Sequence, residues 1–287
     1  VAAAGVKFVQ NVGERSDTTL DILSVVLLAA GITAFVYSVG EFSTNLIAGI
    51  VTLFAAVVLL GLFAARQLKL EHPVLNVRPM ASVRFWPACL LVVVSMMTTF
   101  SMSVLLPLYF EGAYGMTALV AGLLILPAIA CNAVTSIVGG RVMDARGAWP
   151  LLPVGFALIA VGQTAISMTA ASMNIGVVVA LTVVVYAGVG LVLSPSQTAG
   201  LETLPAAEHP HGTALLNTWN IIAASFGPSL FIGLLSSSAA TAGAAGVATD
   251  VAQAIGFAAA VRVAAVIAVV GFATSLVYAR RESHMSH

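Results

Sequence analysis

Charge is scarce in this 287-residue sequence. Asp, Glu, Lys and Arg together make up 8% of its residues, against roughly 25% in an ordinary soluble domain. Apolar residues make up 60%, and the mean hydropathy is +1.06. So few charges could not cover the surface of a soluble protein of this length, which excludes that class. The formal net charge is zero, so nothing electrostatic indicates a nucleic-acid partner.

Chemistry-bearing motifs are also scarce. The two cysteines, Cys89 and Cys131, lie inside apolar runs and are predicted to be small core residues rather than a disulfide or a metal site. His209 and His211 flank a proline, but no further ligands are nearby, and a loop entering a helix explains them better than a metal. Phosphate-binding loops and nucleophile elbows are absent. The sequence therefore predicts no enzyme, no metal site and no cofactor.

What the sequence has instead is long apolar runs. A hydrocarbon core about 30 Å thick takes about 20 apolar residues per helical crossing. A membrane β-barrel would show alternating segments of about ten residues, and these runs are unbroken. Eight runs are long enough to cross, at 21–42, 46–65, 85–109, 117–140, 150–170, 175–197, 213–236 and 254–279. The predicted fold class is therefore an all-α integral membrane protein.

Basic residues fall on one side of an eight-crossing path. Every lysine and arginine except Arg262 lies before the first run, after the second, after the fourth or after the eighth. The opposite connections contain Glu111 and Asp250 but no basic residue. The positive-inside rule makes the basic side cytoplasmic. The sequence thus predicts a multi-pass protein of the inner (cytoplasmic) membrane with both ends of this chain in the cytoplasm.

One short connection concentrates charge. The stretch "GGRVMDARG" at 139–147 lies between two uncharged runs and is predicted to be a cytoplasmic turn. Its arginines could serve only to hold the turn on the inner face. Alternatively, Gly140 and Gly147 permit a tight turn, and Asp144 and Arg146 form a charged latch between helix ends.

This spacing resembles the loop motif Gly-x-x-x-Asp-Arg-x-Gly of the major facilitator superfamily, with Ala145 in place of the arginine and Arg146 one position later. Four longer stretches are similar to its fourteen-helix drug:proton antiporter branch: "LDILSVVLLAAG" (20–31), "FAARQLKLEHPVLNVR" (63–78), "LPLYFEGAYGMTALVAGLLILPA" (106–128) and "LPAAEHPHGTALLNTWNIIAASFGPSLF" (204–231). The resemblance implies the tail of a preceding helix and a cytoplasmic link (1–20), a central transmembrane hairpin (21–65), a cytoplasmic linker (66–84), a C-terminal six-helix bundle (85–279) and a cytoplasmic tail (280–287).

The resemblance also implies a function. It predicts proton-coupled efflux of amphipathic small molecules or drugs, in which two bundles rock around a midplane cavity. The partners would be membrane lipids, protons, the substrate and an N-terminal six-helix bundle outside this sequence, which would hold the coupling acid. A non-transporting scaffold or receptor-like module with the same fold is the alternative. A passive channel would need rings of polar residues along a pore, and none is evident.

A cavity wall is predicted on the run at 85–109. Met96, Thr99, Phe100 and Ser103 follow helical spacing on one face. Thioether, aromatic and hydroxyl groups together form an adaptable surface for apolar substrates. Ordinary packing between helices is the alternative interpretation of the same face.

Polar side chains inside other apolar runs are further cavity candidates, namely Asn132, Tyr186, Asn217 and Asn220. Amides in hydrocarbon need hydrogen-bond partners, so they face either protein or a water-filled cavity. Hydrogen bonding between packed helices is the competing explanation.

Two features are predicted to perturb single helices. Gly227 and Pro228 should kink the run at 213–236, because proline removes a backbone donor and clashes with the preceding turn. Arg262 lies inside the last run, where a buried charge costs about 2–3 kcal/mol. It either extends its stem to the outer headgroups or pairs with an acid of the missing bundle, and the sequence favours the former.

Overall fold

Eight long helices make up most of the chain. The structure, a computed structural model, describes residues 21–41, 45–70, 73–149 and 151–283. The predicted segment 1–20 and residues 284–287 of the predicted tail lie outside the described residues. The helices are α1 (Ile22–Glu41), α2 (Leu46–Lys69), α3 (Phe85–Tyr114), α4 (Ala118–Arg146), α5 (Leu151–Thr169), α6 (Ile175–Glu202), α7 (His209–Ala244) and α8 (Thr249–Ser283).

All eight are long and apolar enough to cross a membrane. The predicted all-α membrane fold is confirmed over the described residues. Short 3₁₀ turns lie in the connections, at Arg78–Ala81, Ala170–Ser172 and Ala206–Glu208. Helices α3 to α8 share one continuous core, whereas α1 and α2 pair with each other and α1 also contacts α7. The predicted domain boundaries stay a prediction.

Helix α4 extends further than its apolar run. It continues to Arg146, so Gly140 and Asp144 lie in its last turns. The helix ends at Gly147, whose φ is +74° and whose N–H donates to the Met143 carbonyl at 2.9 Å. The prediction that 139–147 forms a short turn is therefore wrong in its extent. Hydropathy detects only the part of a helix in hydrocarbon, whereas backbone hydrogen bonding continues into the interface.

Helix α7 remains helical through Gly227 and Pro228. In a membrane bundle, neighbouring groups can satisfy the backbone that proline frees. Gly227 has a separate explanation, because a Cβ at this position would lie 2.8 Å from Ser101 Oγ and 3.2 Å from Met97 Cα. The glycine thus allows α7 to approach α3 closely, while the predicted kink stays a prediction.

Helix α6 packs closely against α5 on one side and against α4 on another. A Cβ on Gly188 would lie 2.6 Å from the carbonyl oxygen of Gly155 in α5. A Cβ on Gly190 would lie 2.6 Å from the Asn132 carbonyl oxygen and 3.0 Å from the Ser136 nitrogen, both in α4. Lipid tails are as apolar as leucine, so helices in a bilayer associate through close van der Waals packing. These two glycines let α6 contact the backbones of α4 and α5.

The Gly190 crossing can be tested with Gly190→Ala. The added methyl group would overlap α4 backbone, which we expect to lower the free energy of unfolding by about 1–3 kcal/mol. Gly122 in α4 is the matched control, because nothing lies within 4 Å of a Cβ there. Gly122→Ala should leave stability unchanged or raise it by up to about 1 kcal/mol. Thermal melting of the purified full-length protein in detergent measures both, and equal melting midpoints would contradict the close crossing.

Candidate functional site

The four α3 candidates lie on the least covered face of that helix. Phe100 is 42% exposed, Ser103 is also exposed, and Met96 and Thr99 are half-buried. The other faces of α3 are buried against α6, α7 and α8, with fully covered side chains at Leu91, Leu105, Leu106 and Tyr109. The predicted stripe therefore faces away from the packed interior of the described bundle.

Both hydroxyl groups of this stripe donate hydrogen bonds to backbone carbonyls within α3. Thr99 Oγ1 donates to the Ser95 carbonyl at 2.8 Å, and Ser103 Oγ donates to the Phe100 carbonyl at 2.7 Å. A hydroxyl in this arrangement still offers its oxygen lone pairs. The α3 face can thus present hydrogen-bond acceptors, a thioether and an aromatic ring to a ligand.

The two α7 asparagines have different surroundings. Asn217 is exposed, whereas Asn220 is half-buried, and its Oδ1 is a buried acceptor without a protein partner. A buried acceptor left unpaired costs about 1–3 kcal/mol. Asn220 precedes Gly227 by seven residues, so it lies on the α7 face that contacts α3. Of the two amides, Asn220 is the one that requires a partner.

The crossing of α4 and α6 brings Asn132 and Tyr186 together. Asn132 Nδ2 donates to the backbone carbonyl of Tyr186 at 3.1 Å, and Tyr186 is 5% exposed. This bond favours hydrogen bonding between packed helices as the role of Asn132. A cavity role for either residue stays a prediction.

The charged candidate residues of α4 and α8 are exposed on the surface of the described bundle. Arg141, Asp144 and Arg146 are all exposed at the end of α4. Arg262 is exposed as well and shares its face of α8 with Val266, which is 62% exposed. Its side chain therefore points away from the core of α3 to α8. That position is compatible with both interpretations of Arg262 given above, and the roles of these residues stay predictions.

A polar network at the base of the hairpin was missed by the sequence analysis. Arg66 binds Asp21 with two bonds, Nε to Oδ2 at 2.7 Å and Nη2 to Oδ1 at 3.0 Å. Ser24 Oγ donates to Asp21 Oδ2 at 2.5 Å and accepts from Gln67 Nε2 at 2.6 Å. Gln67 Oε1 in turn accepts from the Leu75 N–H at 3.0 Å. The network ties both hairpin helices to the linker.

The linker in turn contacts the start of α7. The indole Nε1 of Trp219 donates to Met80 Sδ at 3.4 Å, and the Asn76 N–H donates to His211 Nδ1 at 3.5 Å. An apolar cluster fills the space between hairpin, linker and bundle, with buried members Phe63, Leu75, Phe85, Cys89, Val92, Leu204, Leu215 and Leu216. The hairpin, the linker and the ends of α3, α6 and α7 therefore meet at one end of the molecule.

One signal for this network was present in the sequence. Asp21 and Arg66 carry opposite charges at the two ends of a predicted antiparallel hairpin, which places them side by side. The guanidinium of Arg66, followed by the Ser24 hydroxyl, holds the pKa of Asp21 down to about 2. Gln67 carried no such signal, because its partners come from both α1 and the linker.

The two candidate metal histidines have protein partners. His211 accepts from the linker as above, and His209 Nε2 lies 3.1 Å from the Leu204 carbonyl oxygen. Across the ranges that the structure describes, no group of three or more His, Cys, Asp or Glu side chains could hold a metal ion. Both histidines lie in the first turn of α7 rather than in the loop that the sequence predicted.

Comparison with known proteins places the chain among transporters. The family model described as Major Facilitator Superfamily matches residues 21–228. Lincomycin resistance protein LmrB of Listeria monocytogenes is 32% identical over 235 residues, covering 81% of this chain and 50% of that protein. LmrB of Bacillus subtilis is 30% identical over 239 residues, covering 80% and 49%. The uncharacterized MFS-type transporter YcnB of Bacillus subtilis is 33% identical over 271 residues, covering 93% and 57%. The chain spans about half the length of the curated relatives it matches.

The Asp21–Arg66 pair predicts a pH-dependent stability. Because the pKa of folded Asp21 is depressed, its contribution is complete above the ordinary value of 3.8 and is lost as the pH falls towards about 2. We expect Asp21→Asn to lower the melting midpoint of the full-length protein at neutral pH. The difference from wild type should shrink as the pH is lowered through this window.

Arg141→Gln is the matched control for this prediction. It removes an exposed arginine at the end of another helix and should leave the melting midpoint unchanged. An Asp21→Asn protein that melts with the wild type at every pH would show that the pair does not stabilise the hairpin.

Proposed function

The chain belongs to the Major Facilitator Superfamily, and on that premise we propose that it is the C-terminal part of a proton-coupled exporter of amphipathic small molecules. Two bundles rock about a cavity near the bilayer midplane, and α3 to α8 form one of them. The observation that carries this proposal is the open face of α3, which holds Met96, Thr99, Phe100 and Ser103, while the faces that contact α6, α7 and α8 are buried.

The chemistry of this wall favours a class of substrate. Thr99 and Ser103 offer oxygen lone pairs because their protons are bound within α3. Asn220 adds a buried acceptor on the neighbouring α7. Acceptors beside a thioether and an aromatic ring suit neutral or cationic amphipaths that carry hydrogen-bond donors. Because two relatives are named for lincomycin resistance, lincomycin is the first substrate to test.

The coupling proton is proposed to bind outside this chain. Every Asp and Glu of the described residues lies at or near the end of a helix, at positions 21, 41, 111, 144, 202, 208, 250 and 282. A carboxyl group that carries protons through the membrane needs a site near the midplane. We therefore assign the coupling acid to the other bundle of the full-length protein.

The proposed location is the cytoplasmic membrane, with the ends of this chain on the cytoplasmic side. The placement of lysine and arginine supports this orientation. The polar hairpin network, the linker and the exposed charges at the end of α4 would then lie at the inner face. A scaffold or receptor-like module with the same fold is the alternative, and it differs in moving no substrate.

Proton coupling is tested with inside-out membrane vesicles that contain the full-length protein. We expect lincomycin to accumulate when the vesicle interior is made acidic, because protons leaving the vesicle drive its uptake. Nigericin, which collapses the pH gradient, should reduce accumulation to that of vesicles without the protein. Accumulation that nigericin leaves intact would remove proton coupling, and no accumulation of lincomycin or other amphipathic cations would favour the scaffold.

The cavity wall is tested by thiol labelling. In a full-length background with Cys89 and Cys131 replaced by alanine, Ser103→Cys should react with a hydrophilic methanethiosulfonate, because thiolate forms readily only beside water. Bound lincomycin should slow that reaction. The matched control is Val161→Cys, at a side chain that is 65% exposed on α5, where lipid contact predicts slow labelling. Equal rates at the two positions would contradict an aqueous cavity along α3.

A further inference from the structure

Helices α3, α5 and α8 meet at a junction with two well-defined ends. At one end the ring of Tyr109 in α3 stacks on Phe257 of α8, with centroids 4.2 Å apart. The Tyr109 hydroxyl donates to the carbonyl of Ala170, just after α5, at 2.8 Å. We call these three residues the outer anchor. It fixes the level at which the three helices come together.

The other end of the junction is a close contact at Gly271 of α8. A Cβ there would lie 2.9 Å from Phe156 Cδ1 in α5 and 3.0 Å from Val94 Cγ1 in α3. We call these three residues the inner anchor. Along α5 and the turn that follows it, Phe156 of the inner anchor and Ala170 of the outer anchor are fourteen residues apart. Along α8, Phe257 of the outer anchor and Gly271 of the inner anchor are also fourteen residues apart.

Gln163 lies midway between the anchors. It is seven residues from the α5 member of each, and seven residues make about two helical turns on one face. Ala264 is likewise seven residues from both α8 members, and Met102 is seven residues from Tyr109 on α3. Because the anchors fix the register, Gln163, Ala264 and Met102 lie at the same level of the junction.

The carboxamide of Gln163 is fully enclosed and has no protein partner. Its exposed fraction is 0%, and neither Oε1 nor Nε2 forms a hydrogen bond within the protein. Met102 is 1% exposed and Ala264 is 4% exposed, so the junction is closed to the surroundings. An unpaired amide in such a place is strongly unfavourable, and buried polar groups of native proteins nearly always find a partner.

The side of α8 at this level is lined with small residues. Ala260, Ala264 and Ala268 follow each other by one turn and are all buried. Ser167 lies one turn from Gln163 on α5 and is 4% exposed. Its hydroxyl donates to the Thr164 carbonyl at 2.8 Å and so retains an acceptor. The junction therefore combines small side chains with one donor group, Gln163 Nε2, and two acceptors, Gln163 Oε1 and Ser167 Oγ.

We propose that Gln163 holds a buried water molecule between α3, α5 and α8. The water accepts from Nε2 and directs its two hydrogens to Oε1 and to Ser167 Oγ. These three bonds match the usual number for a buried water. None of the described residues named at this junction is charged, so an ion there would be uncompensated, and the closed junction excludes larger molecules. The proposal does not depend on the transport function.

Radiolytic footprinting tests this site in the full-length protein in nanodiscs. X-rays split bound water into hydroxyl radicals that oxidise the nearest side chain, and methionine sulfur oxidises readily. We expect Met102 to be oxidised in the wild type despite its burial. Met97 is the matched internal control, because it is a 7% exposed methionine of the same helix that contacts Gly227 of α7 instead. It should be oxidised far more slowly.

Two variants connect the signal to Gln163. In Gln163→Leu, which replaces the amide by an apolar side chain, Met102 oxidation should fall to the rate of Met97. In Ala264→Val, which adds two methyl groups at the level of the proposed water but retains the amide, it should fall as well. Melting midpoints identify any variant that does not fold, and the other variant then decides. Wild-type Met102 oxidation no faster than that of Met97, or oxidation that persists in a folded variant, would overturn the proposal.

Discussion

Close backbone contact at glycine is the interaction on which the arrangement of these helices depends. In hydrocarbon, apolar side chains gain nothing from leaving lipid for protein, so only tight packing and hydrogen bonds between helices can select one arrangement. Gly188 and Gly190 provide this on two sides of α6, against α5 and α4. Gly227 does the same between α7 and α3, and at Gly271 the side chains of Phe156 and Val94 approach the α8 backbone. The bundle is thus assembled at points where a methyl group would not fit.

This packing also decides which surface remains for function. Because α6, α7 and α8 cover the rest of α3, only the face with Phe100 and Ser103 stays open. The groups proposed as a cavity wall therefore lie on the one face of α3 that the described helices leave uncovered. Polar groups elsewhere are used to join helices, as Asn132 does with the Tyr186 carbonyl.

The central hairpin is joined to the bundle through its linker. Gln67 is the key residue, because its amide contacts Ser24 on α1 and the backbone of Leu75 beyond α2. The linker then reaches Trp219 of α7 through Met80. Farther along the helices, Phe35 of α1 lies against Phe226 of α7, with ring centroids 5.9 Å apart. These contacts couple the hairpin to the same helix that carries Asn220.

The sequence by itself determined the membrane class and the number of helices in the described part, because hydropathy over about twenty residues belongs to each segment alone. Family membership was also readable, since it depends on motifs along the chain. Helix ends were predicted less well. Gly140 and Asp144 were placed in a turn but lie in α4, because helices continue beyond the hydrocarbon core. Only the tertiary structure decided that Asn132 has a partner while Gln163 and Asn220 Oδ1 have none. Such differences arise from atoms brought together from distant parts of the chain, which no local pattern of residues specifies.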